Sequence, residues 1–356
     1  MPVPLPLILT TDVAGILAAW ESIDLDSDML VPSDMLHLVG PSTQDGVPMA
    51  WPLLARCNRL IATLGPVPIF TGNRSSATNE VSQTGDQIAI EGCDAAKVLV
   101  DSPPLIRFRR PAGSLATFAA ELCGQLAVPV VVDAAAQIPR AQTTSASPSQ
   151  PVWSILEPIA KECGCTMWCD ATGVLRIESL LPYYAIPPVA TLASMPSGPQ
   201  AAANNITSYT LRDDVEARFS HIVVQGGGGQ RARHGTIATG MLGAPALGMA
   251  VDPELISRGV YRPLVLVDQD AKSIAQAQAK AMREVALRRL QGTKIELEVA
   301  GFTTETGLPW QVAQMVLVSI PHKGVAGPMF VIARRLMQDL SGGSRTRLTL
   351  VEPGVM

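Results

Sequence analysis

The chain of 356 residues exceeds the usual single-domain size, so two to four domains are expected. Its net charge of −4 and pI near 5.6 argue against a nucleic-acid-binding protein as a whole. A mean hydropathy of +0.24 with only 16% charged residues points to apolar surface buried against partners.

No targeting segment is expected, because the first basic residue is Arg56 and the basic start of a signal peptide is missing. Two long uncharged stretches, 180–211 and 235–251, are broken by proline or glycine and read as linker and loop, not as membrane spans. Six cysteines read as reduced, mostly buried thiols. The cluster Cys163, Cys165 and Cys169 misses the two-residue gap common in zinc sites, and the four histidines (His37, His221, His234, His322) lie far off in sequence. No metal or cofactor is expected.

Residues 1–105 read as a first, all-β barrel domain. Ser22 to Asp26 and Gln87 to Glu91 alternate between a wet and a buried face. Asp94 is placed to cap a short helix from Ala95 to about Val100. Asp24, Asp26 and Asp28 are spaced like the start of a calcium loop. Met29 and Met35 stand where that loop needs glycine and glutamate, so an acidic, solvated strand face is the better reading.

Residues 106–185 read as an α+β insert. Ser114 caps a helix to about Leu126, Val128 to Val132 is a strand, and 141–150 is an exposed loop. A second helix runs from Val152 to about Cys163, followed by a hairpin turning at Asp170 to Gly173. Residues 186–206 read as a linker. Residues 207–356 read as a second β-barrel region carrying a Gly-rich loop at 226–251 and a helix at 271–290. The glycine run from Gly226 lacks the Gly-Lys-Ser/Thr of a phosphate loop. Four strands fill 294–351. The fold class is mainly β with an α+β insert: two β-barrel domains plus small α/β parts. Gly65-Pro66 and the strands after it match Gly327-Pro328 and its strands in pattern. Two copies of one barrel, or two hairpins that converge by chance, both account for this.

Neither a Gly-x-Ser-x-Gly nor a His-Glu-x-x-His run is present. His221 with Asp213 and Asp214 is either an acid–base pair or a strand residue beside a solvated turn. The helix and hairpin at 152–177 are either a cell-wall-binding module or a structural insert.

Several motifs, weak singly, occur in a telling order. They are Trp20 to Leu25, Ile69 to Gly72, Ile88 to Ala95 with Gly92 and Asp94, and Ile159 to Gly164. Asp170 to Leu175 with Gly173 follows, then Ser220 to Gly226, Val299 to Gly301, and Leu308-Pro309-Trp310. In this order the chain resembles the Mu-type phage tail protein P family, the baseplate hub proteins of contractile tails. It departs from that family at Cys93, where arginine is frequent, and at the glycine run after Gly226. The resemblance implies tube-type barrels paired in a homotrimer, a pseudo-six-fold ring like the hub of T-even phages. Implied partners are the central spike, the tail tube or a tube-initiator protein, and other baseplate (wedge) proteins. DNA would pass through the channel unbound. The implied role is structural, without catalytic residues or a membrane span, in a virion baseplate assembled in the host cytoplasm. A cell-wall-binding or peptidoglycan-degrading tail component is the alternative.

Residues 1–55 hold seven acidic and no basic residues, whereas 279–356 hold ten basic and six acidic. Asp24 and Asp26 are therefore expected to border the channel and repel passing DNA, and the basic C-terminal part to meet a neighbouring subunit.

Overall fold

The computed structural model describes residues 7–12, 15–17, 20–41, 43–44, 47–48, 56–82, 85–134, 144–195, 204–226, 246–268, 271 and 273–354. The chain divides into two compact units: residues 1–209 with 296–350, and residues 210–295 with 351–356.

The first unit opens with strands that share one sheet: β1 (Leu7–Thr11), β2 (Gly15–Leu17), β3 (Ser22–Asp28), β4 (Met35–Pro41), β5 (Arg59–Leu64), β6 (Val67–Ser82) and β7 (Gly85–Asp94). The insert follows as α1 (Ala96–Asp101), α2 (Leu115–Gln125), β8 (Val130–Val132), α3 (Val152–Glu162), β9 (Thr166–Cys169), β10 (Leu175–Glu178) and α4 (Leu181–Tyr184). Next come β11 (Thr191–Ala193) and β12 (Ile206–Asp213). The second unit holds β13 (His221–Gly226), β14 (Leu247–Val251), α5 (Pro253–Ser257), β15 (Pro263–Asp268) and α6 (Ile274–Gly292). The chain then returns through β16 (Thr293–Ala300), β17 (Met315–Ile320), β18 (Val325–Asp339) and β19 (Gly343–Val351).

One 13-stranded sheet organises the first unit, in the order β12-β16-β19-β18-β3-β4-β7-β6-β5-β1-β2, with β17 pairing β18 and β11 pairing β17. β12 and β2 end that order, so among the described residues the sheet does not close on itself. Two barrels were expected from the sequence; the described strands form no closed barrel, and the two β regions share one sheet because β3 of the first region pairs with β18 of the last, from Ala333↔Asp28 to Gln338↔Ile23.

The sheet contains one five-strand module twice. β3-β4-β7-β6-β5 and β12-β16-β19-β18-β17 have the same order relative to chain sequence. The last three strands of each are a meander of 6, 16 and 10 residues in the first copy and 6, 15 and 9 in the second. Pro68-Ile69-Phe70 with Arg74 and Pro328-Met329-Phe330 with Arg334 fall at the same places. This sets the match two residues away from the Gly-Pro alignment suggested by sequence pattern.

The insert has its own core of Phe108, Phe118, Leu122, Leu156 and Ile177, among others, with Phe108 and Phe118 edge-to-face at 5.6 Å. Ser114 Oγ accepts from Thr117 N, which caps α2 as expected. β10 pairs antiparallel with β9 and parallel with β8.

In the second unit α6 lies on one face of a three-stranded sheet, β14-β13-β15. Ser273 and Gln276 form a capping box that starts the helix. Arg218, fully buried, donates to Asp252 at 2.8 and 3.0 Å, to Glu254 at 2.7 Å and to Thr293 Oγ1 at 3.0 Å, so this interior charge is fully paired.

Two boundaries differ from expectation. Residues 247–251, read as the end of a Gly-rich loop, form β14, since Leu247, Met249 and Val251 alternate around Gly248 and Ala250. Gly227 to Pro245 lie outside the described residues. Within the expected linker 186–206, β11 pairs in parallel with β17, because its Leu192 and Ala193 are buried there.

Candidate functional site

The wet face of the sheet is the candidate site, and strand alternation builds it. On β3, Ile23, Leu25 and Ser27 turn inward, leaving Asp24, Asp26 and Asp28 outward. Arg335 of β18 sits opposite Asp26 in register but reaches diagonally to Asp24, donating from Nε at 2.7 Å and from Nη2 at 2.5 Å. On β4, His37 faces Asp24, and its Nδ1 lies 3.5 Å from Glu91 Oε1 of β7. Ser76 of β6 donates to the other oxygen of Glu91 at 2.8 Å. On the far side, Arg347 and Arg345 of β19 lie 3.5 and 3.9 Å from Glu298 of β16.

The acidic face is therefore already met by the basic residues of the C-terminal strands on the same surface, instead of standing apart from them. Partial burial first, then the carboxylates of Asp24 and Asp28, raise Asp26 above the ordinary aspartate value, against the pull of Arg335. Charges of both signs matched laterally and left hydrated give a polyanion little to hold.

Beneath that face lies a buried polar cluster. Asp94 does more than cap α1. Its Oδ1 accepts from Ala96 N at 3.0 Å and Ser33 Oγ at 2.9 Å, and its Oδ2 accepts from Asp34 N at 3.0 Å. Burial, then the neighbouring Asp94 carboxylate, pushes Asp34 up to about 8, and burial raises Asp94 as well. The cation facing them is Arg334, which burial pulls down to about 10. It donates to the carbonyls of Trp310 and Ile69. Two carboxyls against one guanidinium balance when the pair keeps one proton.

The remaining motif positions lie in packed or turn surroundings. Trp20 and Trp310 are buried. A Cβ on Gly92 would stand 2.7 Å from Leu60 Cδ1, and one on Gly226 only 2.0 Å from Ala271 O. Gly173 has φ +82° in the hairpin turn, where Thr71 Oγ1 donates to Ala171 O at 2.9 Å and ties insert to sheet. Gly301 at φ +78° donates to Ser344 O and accepts from Thr346 Oγ1.

His221 and the two aspartates do not converge. Its Nδ1 is 3.0 Å from Ser220 Oγ, Asp213 pairs with Arg258 at 2.5 Å, and Asp214 accepts from Glu216 N and Ala217 N. Cys165 and Cys123 are pushed up by burial to about 11 and about 12, and Cys169 is raised too, which makes them poor nucleophiles. Among the described residues no group of three or more His, Cys, Asp or Glu could hold a metal, and no helix is long and apolar enough to cross a membrane.

Comparison with known proteins places this architecture. A family model described as tail protein, C-terminal domain, matches residues 288–355. Baseplate hub protein gp44 of Escherichia phage Mu is 20% identical over 305 residues, spanning 83% of this chain and 76% of that protein. The tail protein of Neisseria meningitidis MC58 superposes with a TM-score of 0.78 at 24% identity, over 98% of this chain and 97% of its own. Its fold is that of the Mu-type phage tail proteins. The 43 kDa tail protein of prophage MuSo2 from Shewanella oneidensis agrees, with a TM-score of 0.75 at 19% identity over 99% of both chains. The proteins this chain resembles are thus tail and baseplate hub proteins by name.

Proposed function

We propose that this protein is the baseplate hub of a contractile phage tail, three copies of which form a pseudo-six-fold ring joining the tail tube to the central spike. One observation carries the reading: the module that occurs twice leaves one of its junctions unfilled. Along its outer side β18 carries β17 over Val325–Phe330 and then β3 over Ala333–Gln338. The equivalent strand β6 carries β5 over Val67–Asn73, and beyond that no strand among the described residues. The equivalent of β3 in the second module is β12, which ends the sheet with an edge that no described strand covers.

Seating β12 of one copy on β6 of the next, just beyond where β5 leaves it at Asn73, repeats the β18–β3 junction between chains. Such head-to-tail contacts close into a ring when the rotation allows. Two modules per chain make six in a trimer. The paired face of Asp24, Asp26, His37, Glu91 and Arg335 then lines the channel, where balanced, hydrated charge lets DNA pass. The tube or a tube-initiator protein, the spike and wedge proteins are the proposed neighbours, in the virion baseplate.

Electron micrographs of the purified protein test this. Class averages showing a closed ring with six similar densities agree with it. Single particles of one chain, or open filaments, contradict it.

A further inference from the structure

Register aligns the two copies of the five-strand module residue by residue. Ala62 lies opposite Phe70, and Met315 lies opposite Phe330. Five residues before Ala62 stands Cys57, and five before Met315 stands Trp310. These are the carbonyls that accept from Arg74, at 2.8 Å, and from Arg334. Next to them stand Asn58 and Gln311, both side-chain amides. Arg74, Cys57 and Asn58 of the first module therefore correspond to Arg334, Trp310 and Gln311 of the second.

In the second module the same groups reach further. Arg334 Nη2 donates to Ile69 O at 2.5 Å, and Gln311 Nε2 donates to Pro68 O at 3.5 Å. Both acceptors are consecutive carbonyls of β6, in the first module. The junction at which β3 lies along β18, with Ser27 opposite Arg334, thus has a second part: two side chains of one module seated on the main chain of the other. Under that cover Arg334 is only 3% exposed. Its counterpart Arg74 is half-buried, and Asn58 is exposed. The counterparts of Pro68 and Ile69 are Pro328 and Met329 of β18.

We infer that Arg74 and Asn58 of one copy seat on the Met329 and Pro328 carbonyls of a second copy, the one whose β12 lies along β6. The chain makes this contact once within itself, and that is what identifies the occupant. The inference rests on the ring proposed above and gives it a register. Beyond Asn73, β6 reads Arg74-Ser75-Ser76-Ala77-Thr78-Asn79-Glu80, too polar on both faces to fix a strand's register by burial. A guanidinium held to one carbonyl fixes it by a charge-assisted hydrogen bond. The contact is head-to-tail, since each copy offers Arg74 and Asn58 on one side and Pro328 and Met329 on the other.

Cysteine pairing tests it in the full chain. Five of the six native cysteines are buried, and Cys163→Ser removes the half-buried one. On that background Asn58→Cys with Pro328→Cys, oxidised with copper phenanthroline, is expected to give a non-reducing ladder ending at the ring's copy number. A mixture of the two single variants should stop at two chains. The corresponding pair Gln311→Cys with Pro68→Cys should close inside one chain and serves as the control. Separately, Arg74→Glu should bring the particle down to the mass of one chain, with the circular dichroism of the parent. Arg107→Glu, at an exposed site in the insert, should leave the mass unchanged. Should Arg74→Glu fail to fold, the cysteine pair decides alone, because it leaves Arg74 in place. Three results from an oligomeric parent would overturn the contact and leave the ring standing: closure of the 58–328 pair within one chain, no product when the control closes, or a folded Arg74→Glu that keeps the parent's mass. A parent with the mass of one chain would remove both.

Discussion

Arg74 and Arg334 occupy the same place in the two copies of the five-strand module. Each follows a phenylalanine, Phe70 or Phe330, by four residues, and each turns its guanidinium onto a main-chain carbonyl upstream of the module's third strand. Arg74 Nε donates to Cys57 O at 2.8 Å, and Arg334 donates to Trp310 O and Ile69 O. Equivalent strands are thus held by equivalent hydrogen bonds. Burial differs, however, and Arg334 alone is fully enclosed.

That difference sets the first prediction. Arg334→Ala leaves two carbonyls and the Asp34–Asp94 pair without their buried cation, and should cost about 3–5 kcal/mol. Arg74→Ala, at a half-exposed site, should cost about 1 kcal/mol. Urea denaturation of the two variants measures both, and equal losses would argue against this difference in burial.

A second prediction concerns pH. Asp34 holds its proton to about 8 in the folded chain but to about 4 when unfolded. Between those values the folded state binds more protons, so this group's contribution to stability falls as pH rises and is lost through about pH 8. Asp34→Asn removes the titration. The melting temperature of the parent should therefore drop more between pH 5 and 9 than that of the variant, as calorimetry would show.

Much of this was legible in the chain. Alternation at Ser22–Asp28 and Thr293–Ala300 marks strands with one wet face, and Ser114 marks a helix start, because those signals are local. Strand order was not legible. The pairing of β3 with β18 joins residues some three hundred positions apart, and no local pattern encodes it. β14 was hidden because Gly248 reads as a loop residue. It is glycine because α6 passes so close that a Cβ would lie 2.1 Å from Ala277 C. Asp24 was readable as a wet-face acid, but its partner Arg335 was not.

At Gly226 the third prediction follows the same logic. A methyl group there meets the Ala271 carbonyl at 2.0 Å, main chain that cannot rotate away. Gly226→Ala should cost about 1–3 kcal/mol by overpacking, read in a denaturant titration, whereas Gly124→Ala, with open space around it, should not destabilise.

The Asp24–Arg335 pair supplies a fourth. Both partners are partly exposed, so their coupling in a double-mutant cycle should be about 0.2–1 kcal/mol and shrink in high salt. A coupling well above that range would mean the face is drier than a channel wall.

The mass of the purified protein, by light scattering behind a sizing column, tests the central claim most directly. The account predicts a particle three times the 37.6 kDa chain mass. A stable monomer, unchanged when the matching spike protein is added, would contradict it.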